Sequence, residues 1–320
     1  MSSDEQTARS NRLNWLSLPL LTCFLWVCSY SFPMQEMRLY ALQAICLTIP
    51  PYIAVLWPLY SLFLFWKEGD RIYLLSLFAL PLMGFPDVSS QQKGTSVVVS
   101  NVNAFSGYES LLQDELAALR ADYLIQIERR IEEIPHMKRA AFDKKRQHIR
   151  PSHLSSVYCR EECEAWVSGQ IGSDTMAMPI TLLRIPNEIC VIGIHAPPPL
   201  PIDASGMKPY IDHLSQHISK GRISRDWQVC KRSDSVLLMG DLNAVAGSAP
   251  YQSVIGMGLR DLRKYTGIWG ATWPNDAFLI SIPFFRLDHV FAGNVDVLRV
   301  ESFEISNSDH KALRVWLPND

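Results

Sequence analysis

An aspartate and an asparagine lie two positions apart in the stretch S-V-L-L-M-G-D-L-N-A-V-A-G, residues 235–247. The carboxylate of Asp241 could orient or deprotonate water, and the carboxamide of Asn243 could donate to a developing oxyanion. The apolar residues before Gly240 predict a short buried strand, because the run is too brief for a helix. Both polar side chains would then follow the carboxyl end of a strand, where catalytic groups often lie. An Asx turn that closes a hairpin is the alternative for an isolated G-D-x-N.

Four other strand-like runs also end in polar residues. They are V-V-V-S-N-V-N at 97–103, Y-L-I-Q-I-E at 123–128, I-C-V-I-G-I-H at 189–195 and F-R-L-D-H-V-F at 285–291. A last polar set is Ser308-Asp309-His310. This order of motifs resembles the endonuclease/exonuclease/phosphatase superfamily, which includes pancreatic DNase, apurinic endonucleases, bacterial sphingomyelinases and inositol-polyphosphate phosphatases. The resemblance covers roughly residues 94–320, and membrane-tethered bacterial members with an H-x-P-P-P-type motif look closest.

The resemblance implies an α/β fold, a two-sheet α/β sandwich with helices outside and the site at one end of the sheets. Helical patterns that alternate with the strands agree with this class. Residues 108–120 place leucines on one helical face, and residues 208–219 form a second amphipathic pattern.

The resemblance also implies catalytic roles for five residues. Water would attack a phosphodiester or phosphomonoester in line, with His310 as general base and Asp288 holding its tautomer. Asp241, Asn243 and His195 would bind the pentacoordinate oxyanion or assist the leaving group.

Metal and substrate ligands follow from the same motifs. Mg²⁺ prefers carboxylate and other oxygen ligands, so the implied metal ligands are Glu128, Asn101 and Asp309, with Mn²⁺ as an alternative ion. Asn103 and Trp273 are expected to contact substrate, although core packing is an equal alternative for the tryptophan.

Charge gives little support to a dedicated DNA-binding protein. Residues 94–320 hold 24 Lys or Arg against 26 Asp or Glu, so the net charge generates no strong attraction for nucleic acid. The segment 129–150 is locally basic and could bind polynucleotide phosphates or anionic lipid. A solvated helix face is the favoured interpretation of that segment.

The first 86 residues are expected to be a membrane region, because their few charges lie outside three apolar runs. The predicted spans are 13–32, 39–66 and 72–85, of which the last is shorter than the usual 17 to 25 residues. A polar linker at 87–94 would lead into a catalytic domain at 95–320.

Lysine and arginine counts beside the spans predict the side of the catalytic domain. With three spans, the inner flanks hold four such residues and the outer flanks two, which places the domain outside the cytoplasm, attached to a bacterial inner membrane. If residues 72–85 do not cross, the domain is cytoplasmic.

Cysteine usage leans weakly towards an oxidising compartment. The domain holds four cysteines, and Cys159 with Cys163 could close a small loop. Four separate thiols are the favoured interpretation.

Three functions remain open at this point. The first is a membrane-anchored, Mg²⁺-dependent phosphodiesterase or nuclease, and the second is a lipid phosphodiesterase or phosphatase resembling sphingomyelinase. Their partners would be the phosphate ester of a nucleic acid or lipid head group, and the bilayer through the N-terminal helices. The third is a non-catalytic receptor or scaffold, which the full set of site residues argues against.

Overall fold

The computed structural model describes residues 57–64, 66, 94–102, 109–128, 133–142, 154–168, 171–172, 177–198, 207–225, 227, 229–262, 270–274, 283, 285–306 and 308–319. The chain divides into two compact units, Met1–Phe85 and Pro86–Asp320.

In the first unit, residues 57–64 are helical. Several large apolar side chains on and beside this helix are exposed, including Leu59 at 60% and Trp66 at 82%. Within the described residues, no helix is long and apolar enough to cross a bilayer. The predicted spans 13–32 and 72–85 lie outside the described residues, as does most of 39–66.

The second unit is built from short strands and three described helices. In chain order, the described elements are β1 Thr95–Asn101, α1 Glu109–Ala118, β2 Tyr123–Ile127, β3 Lys138–Phe142, β4 Ser155–Cys159, β5 Glu164–Val167, β6 Ile171–Gly172, β7 Ala177–Met178, β8 Ile180–Ile185, β9 Ile189–His195, α2 Met207–His217, β10 Ile218–Ser219, β11 Arg222–Ile223, β12 Ser235–Asp241, α3 Ala249–Gly256, β13 Arg260–Asp261, β14 Asp288–Gly293, β15 Arg299–Phe303 and β16 Ala312–Leu317. A short 3₁₀ helix, Pro186–Glu188, separates β8 from β9.

Two six-stranded sheets form the body of this unit. Their strand orders are β15-β16-β1-β2-β4-β3 and β13-β14-β12-β9-β8-β5. In the first sheet, β1 runs parallel to β2 and antiparallel to β16. In the second, β12 runs parallel to β9 and antiparallel to β14, with Asp241 paired to both His195 and Asp288. The pairing register therefore brings three predicted site residues to one end of the second sheet.

The core lies between the sheets because alternate side chains of each strand point inward. Val97, Val99 and Ile125 of the first sheet belong to the same buried cluster as Leu237 and Met239 of the second. The opposite face of the first sheet is covered by α1, whose Leu112 and Leu116 cluster with Val98, Leu124 and Tyr158. The predicted two-sheet α/β sandwich is confirmed.

Most predicted elements of this unit agree with the structure within a few residues. The run 189–195 coincides with β9, and the helices predicted at 108–120 and 208–219 correspond to α1 and α2. The strand predicted at 285–291 begins later, at Asp288. The backbone N–H groups of Leu287 and Asp288 both donate to the hydroxyl of Thr272 there, in place of a ladder partner.

The preference for four separate thiols is wrong. Cys159 is bonded to Cys163, and Cys190 is bonded to Cys230. The second pair is 40 residues apart in sequence, and it meets only because the chain after α2 returns to the start of β9.

The sequence favours a solvated helix face for the basic segment 129–150. For the residues of this segment that the structure describes, this interpretation is wrong. Lys138–Phe142 is strand β3 at the edge of the first sheet, where its alternating side chains remain partly exposed.

Candidate active site

Gly240 allows strand β12 to lie unusually close to β9. A Cβ atom at this position would lie 2.2 Å from the carbonyl oxygen of Ile194, and its φ of 130° is one that other residues rarely adopt. Asp241 follows at once and is almost fully buried. The absence of a side chain at Gly240 is thus what lets the carboxylate occupy the strand end.

Two asparagines hold the carboxylate of Asp241. Asn101, at the end of β1, donates its Nδ2 to Oδ2 at 3.1 Å. The backbone N–H of Asn243 donates to Oδ1 at 2.7 Å, which is an Asx turn. This turn closes no hairpin, because the next element in the chain is helix α3 and the strands that pair with β12 are β9 and β14. The turn and the catalytic interpretation of G-D-x-N are therefore compatible.

The carboxamide of Asn243 is already committed to these contacts. Its Nδ2 donates to the carbonyl of Ala196 at 2.8 Å and to Asp241 Oδ2 at 3.1 Å. An amide nitrogen carries only two hydrogens. In this arrangement Asn243 positions Asp241, and it could donate to an oxyanion only by giving up one of these bonds.

His310 forms a dyad with Asp288. Its Nδ1 lies 2.8 Å from Asp288 Oδ2, so the carboxylate accepts the Nδ1 proton and fixes the ring. The other nitrogen, Nε2, lies 3.8 Å from Asp241 Oδ2. Both partners of the dyad are buried, so Nε2 of His310 lies in the interior of the site and not at the solvent-exposed surface.

His195 connects the second sheet to Glu128 of the first. Its Nε2 lies 3.3 Å from Glu128 Oε1 and 4.0 Å from Asp241 Oδ2. Glu128 follows β2 in a left-handed conformation, with φ 70°, which is uncommon for a residue other than glycine. Such conformations often occur at functional sites, where the surroundings enforce them.

Burial and ion pairing act against each other on the pKa values of the site. Burial raises the pKa of Asp241 to about 7. Burial also opposes charging of His310, but Asp288 and Asp241 outweigh it and raise its pKa to about 10. The pKa of Asp288 is lowered, because the attraction of His310 exceeds the effect of burial. In the Glu128–His195 pair, burial is opposed by the hydrogen bond and the charge attraction between the two side chains. These interactions outweigh burial, so the pKa of the glutamate is lowered and that of the histidine is raised. The cluster thus places histidine side chains whose pKa values are raised beside carboxylates, and protonated histidines suit an anionic phosphoryl group.

The residues predicted to bind metal offer unused oxygens. The Oδ1 atoms of Asn101 and Asp309 are buried, and neither has a hydrogen-bond partner among the described residues. Glu128 keeps 19% of its side chain exposed, and the other oxygen of Asp309 accepts from Trp273 Nε1 at 3.3 Å. Unpaired buried oxygens are costly unless something binds them, and hard oxygen donors suit Mg²⁺. This donor set fits a divalent cation.

A second group of candidate ligands was missed by the sequence reasoning. Atoms of Asp241, Asp288 and His310 that could bind a metal all lie within 4.8 Å of one another. Sequence spacing gives no sign of this, because three separate strands and loops bring them together. The Nδ1 hydrogen bond already uses Asp288 Oδ2, so binding there would compete with the dyad.

Three further residues support the site without having been singled out for that role. Thr272 accepts two backbone N–H groups beside Asp288, and Ser308 donates to the carbonyl of Asn101 at 2.6 Å. The hydroxyl of Tyr210 accepts the backbone N–H of His195 at 3.2 Å. The T-W-P motif was a signal for Thr272, whereas nothing in the sequence marks Tyr210 on its helix.

Two predicted substrate contacts stay predictions. Asn103 lies outside the described residues. Trp273 is half-buried, and its indole N–H is directed to Asp309, which gives it a positioning contact that the sequence did not indicate.

Comparison with protein families finds one match. Residues 192–310 match the sequence model of the Endonuclease/Exonuclease/phosphatase family. That span includes His195, Asp241, Asp288 and His310, while Glu128 lies before it. No protein with a curated description matches the chain.

Solved structures resemble the fold at low sequence identity. The 3′ phosphatase NExo from Neisseria, solved with a product DNA hairpin, has a TM-score of 0.51 at 12% identity and covers 70% of this chain and 100% of its own. An endonuclease/exonuclease/phosphatase from Bacteroides vulgatus has a TM-score of 0.51 at 12% identity and covers 72% of this chain and 100% of its own. A functionally unknown conserved protein from Enterococcus faecalis has a TM-score of 0.50 at 14% identity, covering 71% and 100%. These likenesses show the fold.

Proposed function

We propose that the unit Pro86–Asp320 is a metal-dependent phosphoester hydrolase, specifically a phosphodiesterase or nuclease. The observation that carries this proposal is the His310–Asp288 dyad, whose free nitrogen faces Asp241 at 3.8 Å beside a set of unused oxygens. The family match over residues 192–310 supports the same reaction class.

The proton of the attacking water passes to the Asp241–His310 pair. These groups interact strongly, so the proton belongs to the pair rather than to either residue. Because the pKa of His310 is raised to about 10, its Nε2 carries a proton at neutral pH, so His310 acts as the general base predicted from the sequence after it has passed that proton to the carboxylate of Asp241. The pair then returns a proton to the leaving oxygen. The Nε2 of His195 is directed into the same space and donates to a phosphoryl oxygen.

Glu128, Asn101 and Asp309 would hold Mg²⁺, with Mn²⁺ as an alternative. A bound divalent ion supplies positive charge that neutralises phosphoryl oxygens. Titration calorimetry with Mg²⁺, and electron paramagnetic resonance with Mn²⁺, should detect one site that is weakened in Glu128→Gln. Unchanged binding in this variant would remove Glu128 from the ligand set without reference to activity.

We also propose that the chain is anchored in a bacterial inner membrane, with the catalytic unit outside the cytoplasm. The apolar runs within residues 1–86 support the anchor, as do the exposed apolar side chains of the helix at 57–64. The two disulfides support the location, since such bonds persist in oxidising compartments. The orientation is tested with a cysteine introduced at Asn319, which is labelled in intact cells with either a membrane-impermeant or a membrane-permeant thiol reagent.

The activity test uses the full chain in detergent or nanodiscs, with Mg²⁺ or EDTA. Plasmid DNA, RNA and phospholipid vesicles are offered in parallel, and His310→Ala serves as the blank. Metal-dependent cleavage of nucleic acid that is lost in the variant supports the proposal. Turnover of lipid alone would move the assignment to a lipid phosphodiesterase, and no turnover of any substrate would favour the receptor.

A further inference from the structure

Two histidines and a tryptophan cluster at the carboxyl end of α2. His213 and His217 are four positions apart, so they share one face of the helix. Their ring centroids are 5.0 Å apart. The indole of Trp227 stacks on His217 at 4.5 Å with planes 15° apart, and it meets His213 edge-on at 5.8 Å.

The chain after α2 fixes this arrangement. The backbone N–H and the hydroxyl of Ser224 both donate to the carbonyl of His217, at 2.7 and 3.0 Å. Cys230 donates its N–H to the carbonyl of Trp227, and the disulfide ties it to Cys190. The indole is therefore held against the histidine rings by a short covalently anchored loop.

This cluster is separate from the catalytic site. The disulfide attaches its loop to the first residues of β9, whereas His195 is the last residue of that strand. Seven residues of extended chain span roughly 20 Å. The loop that carries Trp227 is therefore anchored at the opposite end of β9 from His195, although Tyr210, one helical turn before His213, contacts the backbone of His195.

The ring separation matches that of two imidazoles on one metal ion. With metal–nitrogen bonds of about 2.0 to 2.1 Å and a tetrahedral angle, the two ring centroids would lie about 5 Å apart. The observed separation of 5.0 Å requires no movement of the helix to reach this value. Pairs at i and i+4 on a helix can therefore share an ion.

The chemistry of the two rings is also suitable. Burial lowers the pKa of His213, and burial together with His213 and Arg225 lowers that of His217. The Nδ1 of His217 is buried, and it has no hydrogen-bond partner in the part of the chain that the structure describes. Both residues are partly exposed, so water can complete the coordination shell.

We propose that His213 and His217 form a second metal site, selective for a borderline divalent transition-metal ion such as Cu²⁺, Ni²⁺ or Zn²⁺. Two imidazole ligands favour these ions over Mg²⁺, and the order of affinity is Cu²⁺ above Ni²⁺ and Zn²⁺. The positive charge of Arg225 opposes the ion and limits its affinity.

The test titrates the metal-stripped full chain with CuCl₂, NiCl₂ or ZnCl₂ in excess Mg²⁺. Calorimetry counts the sites, and quenching of Trp227 by Cu²⁺ or Ni²⁺ reports binding at this cluster. Because the chain has 9 tryptophans, the quenching is taken as the difference from Trp227→Phe. The affinity of one site should fall at least tenfold in His213→Gln and in His217→Gln, and it should be unchanged in His136→Gln, an exposed histidine elsewhere.

A third variant keeps the proposal open to refutation if a histidine substitution disturbs folding. Arg225→Ala should tighten binding, because it removes the nearby positive charge. Phosphoesterase activity should be unchanged in all five variants, which checks that they are folded. Equal affinity in wild type and both histidine variants would overturn the site, and so would the lack of any quenching that depends on Trp227.

Discussion

Replacement of Asp288 by asparagine tests the dyad most directly. Asparagine keeps the size of the side chain and an oxygen that can accept from His310 Nδ1, but it removes a negative charge. That charge is buried and lies 2.8 Å from the ring nitrogen. The substitution therefore separates charge from shape.

The expected magnitude follows from the separation of the two charges. At an effective dielectric constant of about 20, two unit charges roughly 4 Å apart interact by about 4 kcal/mol. One pKa unit corresponds to about 1.4 kcal/mol, so the loss of the carboxylate should lower the pKa of His310 by about three units. From about 10 in the wild type, the pKa of this residue should then fall to near neutrality. The rate should nevertheless fall by about 10³- to 10⁴-fold, because the amide group can also donate to Nδ1 and then holds the neutral ring in the wrong tautomer.

The assay has two independent readouts. NMR titration of the metal-free protein gives the pKa of His310, and hydrolysis of a chromogenic phosphodiester gives kcat/KM. Asp296→Asn is the matched control, because this aspartate is exposed and should affect neither. A pKa within one unit of the wild type, or a rate within tenfold of it, would refute the dyad as described.

Three further predictions concern residues that support the site. Burial lowers the pKa of His289 to about 4, so the unfolded chain binds more protons between that value and about 6.5. Stability should therefore decrease by about 3 kcal/mol as the pH falls through this window, and urea unfolding should show a shallower pH dependence in His289→Gln. Tyr210→Phe removes the acceptor of the His195 backbone N–H and should cost about 1 to 3 kcal/mol, measured by the same unfolding assay. Trp273→Phe removes the donor to Asp309 and should weaken Mg²⁺ binding about tenfold in calorimetry.

Each of these has a matched control. His136→Gln should leave the pH dependence of unfolding as it is, because this histidine is exposed. Tyr60→Phe changes an exposed hydroxyl and should leave stability unchanged. Trp316→Phe removes an indole donor that contacts Glu301 instead, so its Mg²⁺ affinity should equal that of the wild type. An equal effect in variant and control would contradict the corresponding prediction.

The sequence predicted those parts of the fold that depend on local pattern. Strand β9 was readable because its apolar run ends abruptly at His195, and β12 because Gly240 and Asp241 follow four apolar residues. The polar residues at strand ends then indicated which side chains could meet, because adjacent strand ends share one edge of a sheet.

Contacts between distant parts of the chain could not be predicted in this way. Tyr210 reaches His195 from a helix whose sequence shows only an amphipathic pattern. The bond between Cys190 and Cys230 depends on the path of the chain after α2, which no spacing encodes. Asn243 uses its amide hydrogens in hydrogen bonds because the carbonyl of Ala196 lies beside it. The parallel register of β9 and β12 sets the position of that carbonyl.

The pairing of β1 with β16 joins two parts of the fold that are synthesised at different times. β1 pairs with β16, and the hydroxyl of Ser308 bonds the carbonyl of Asn101 across 207 positions of sequence. His310 and Asp309 directly precede β16, so they are synthesised after the other strands of both sheets. Until β16 inserts beside β1, the central strand of the first sheet has an open edge and the site lacks His310. A growing chain that lacks β16 therefore has neither a closed first sheet nor the hydrogen bond between His310 and Asp288.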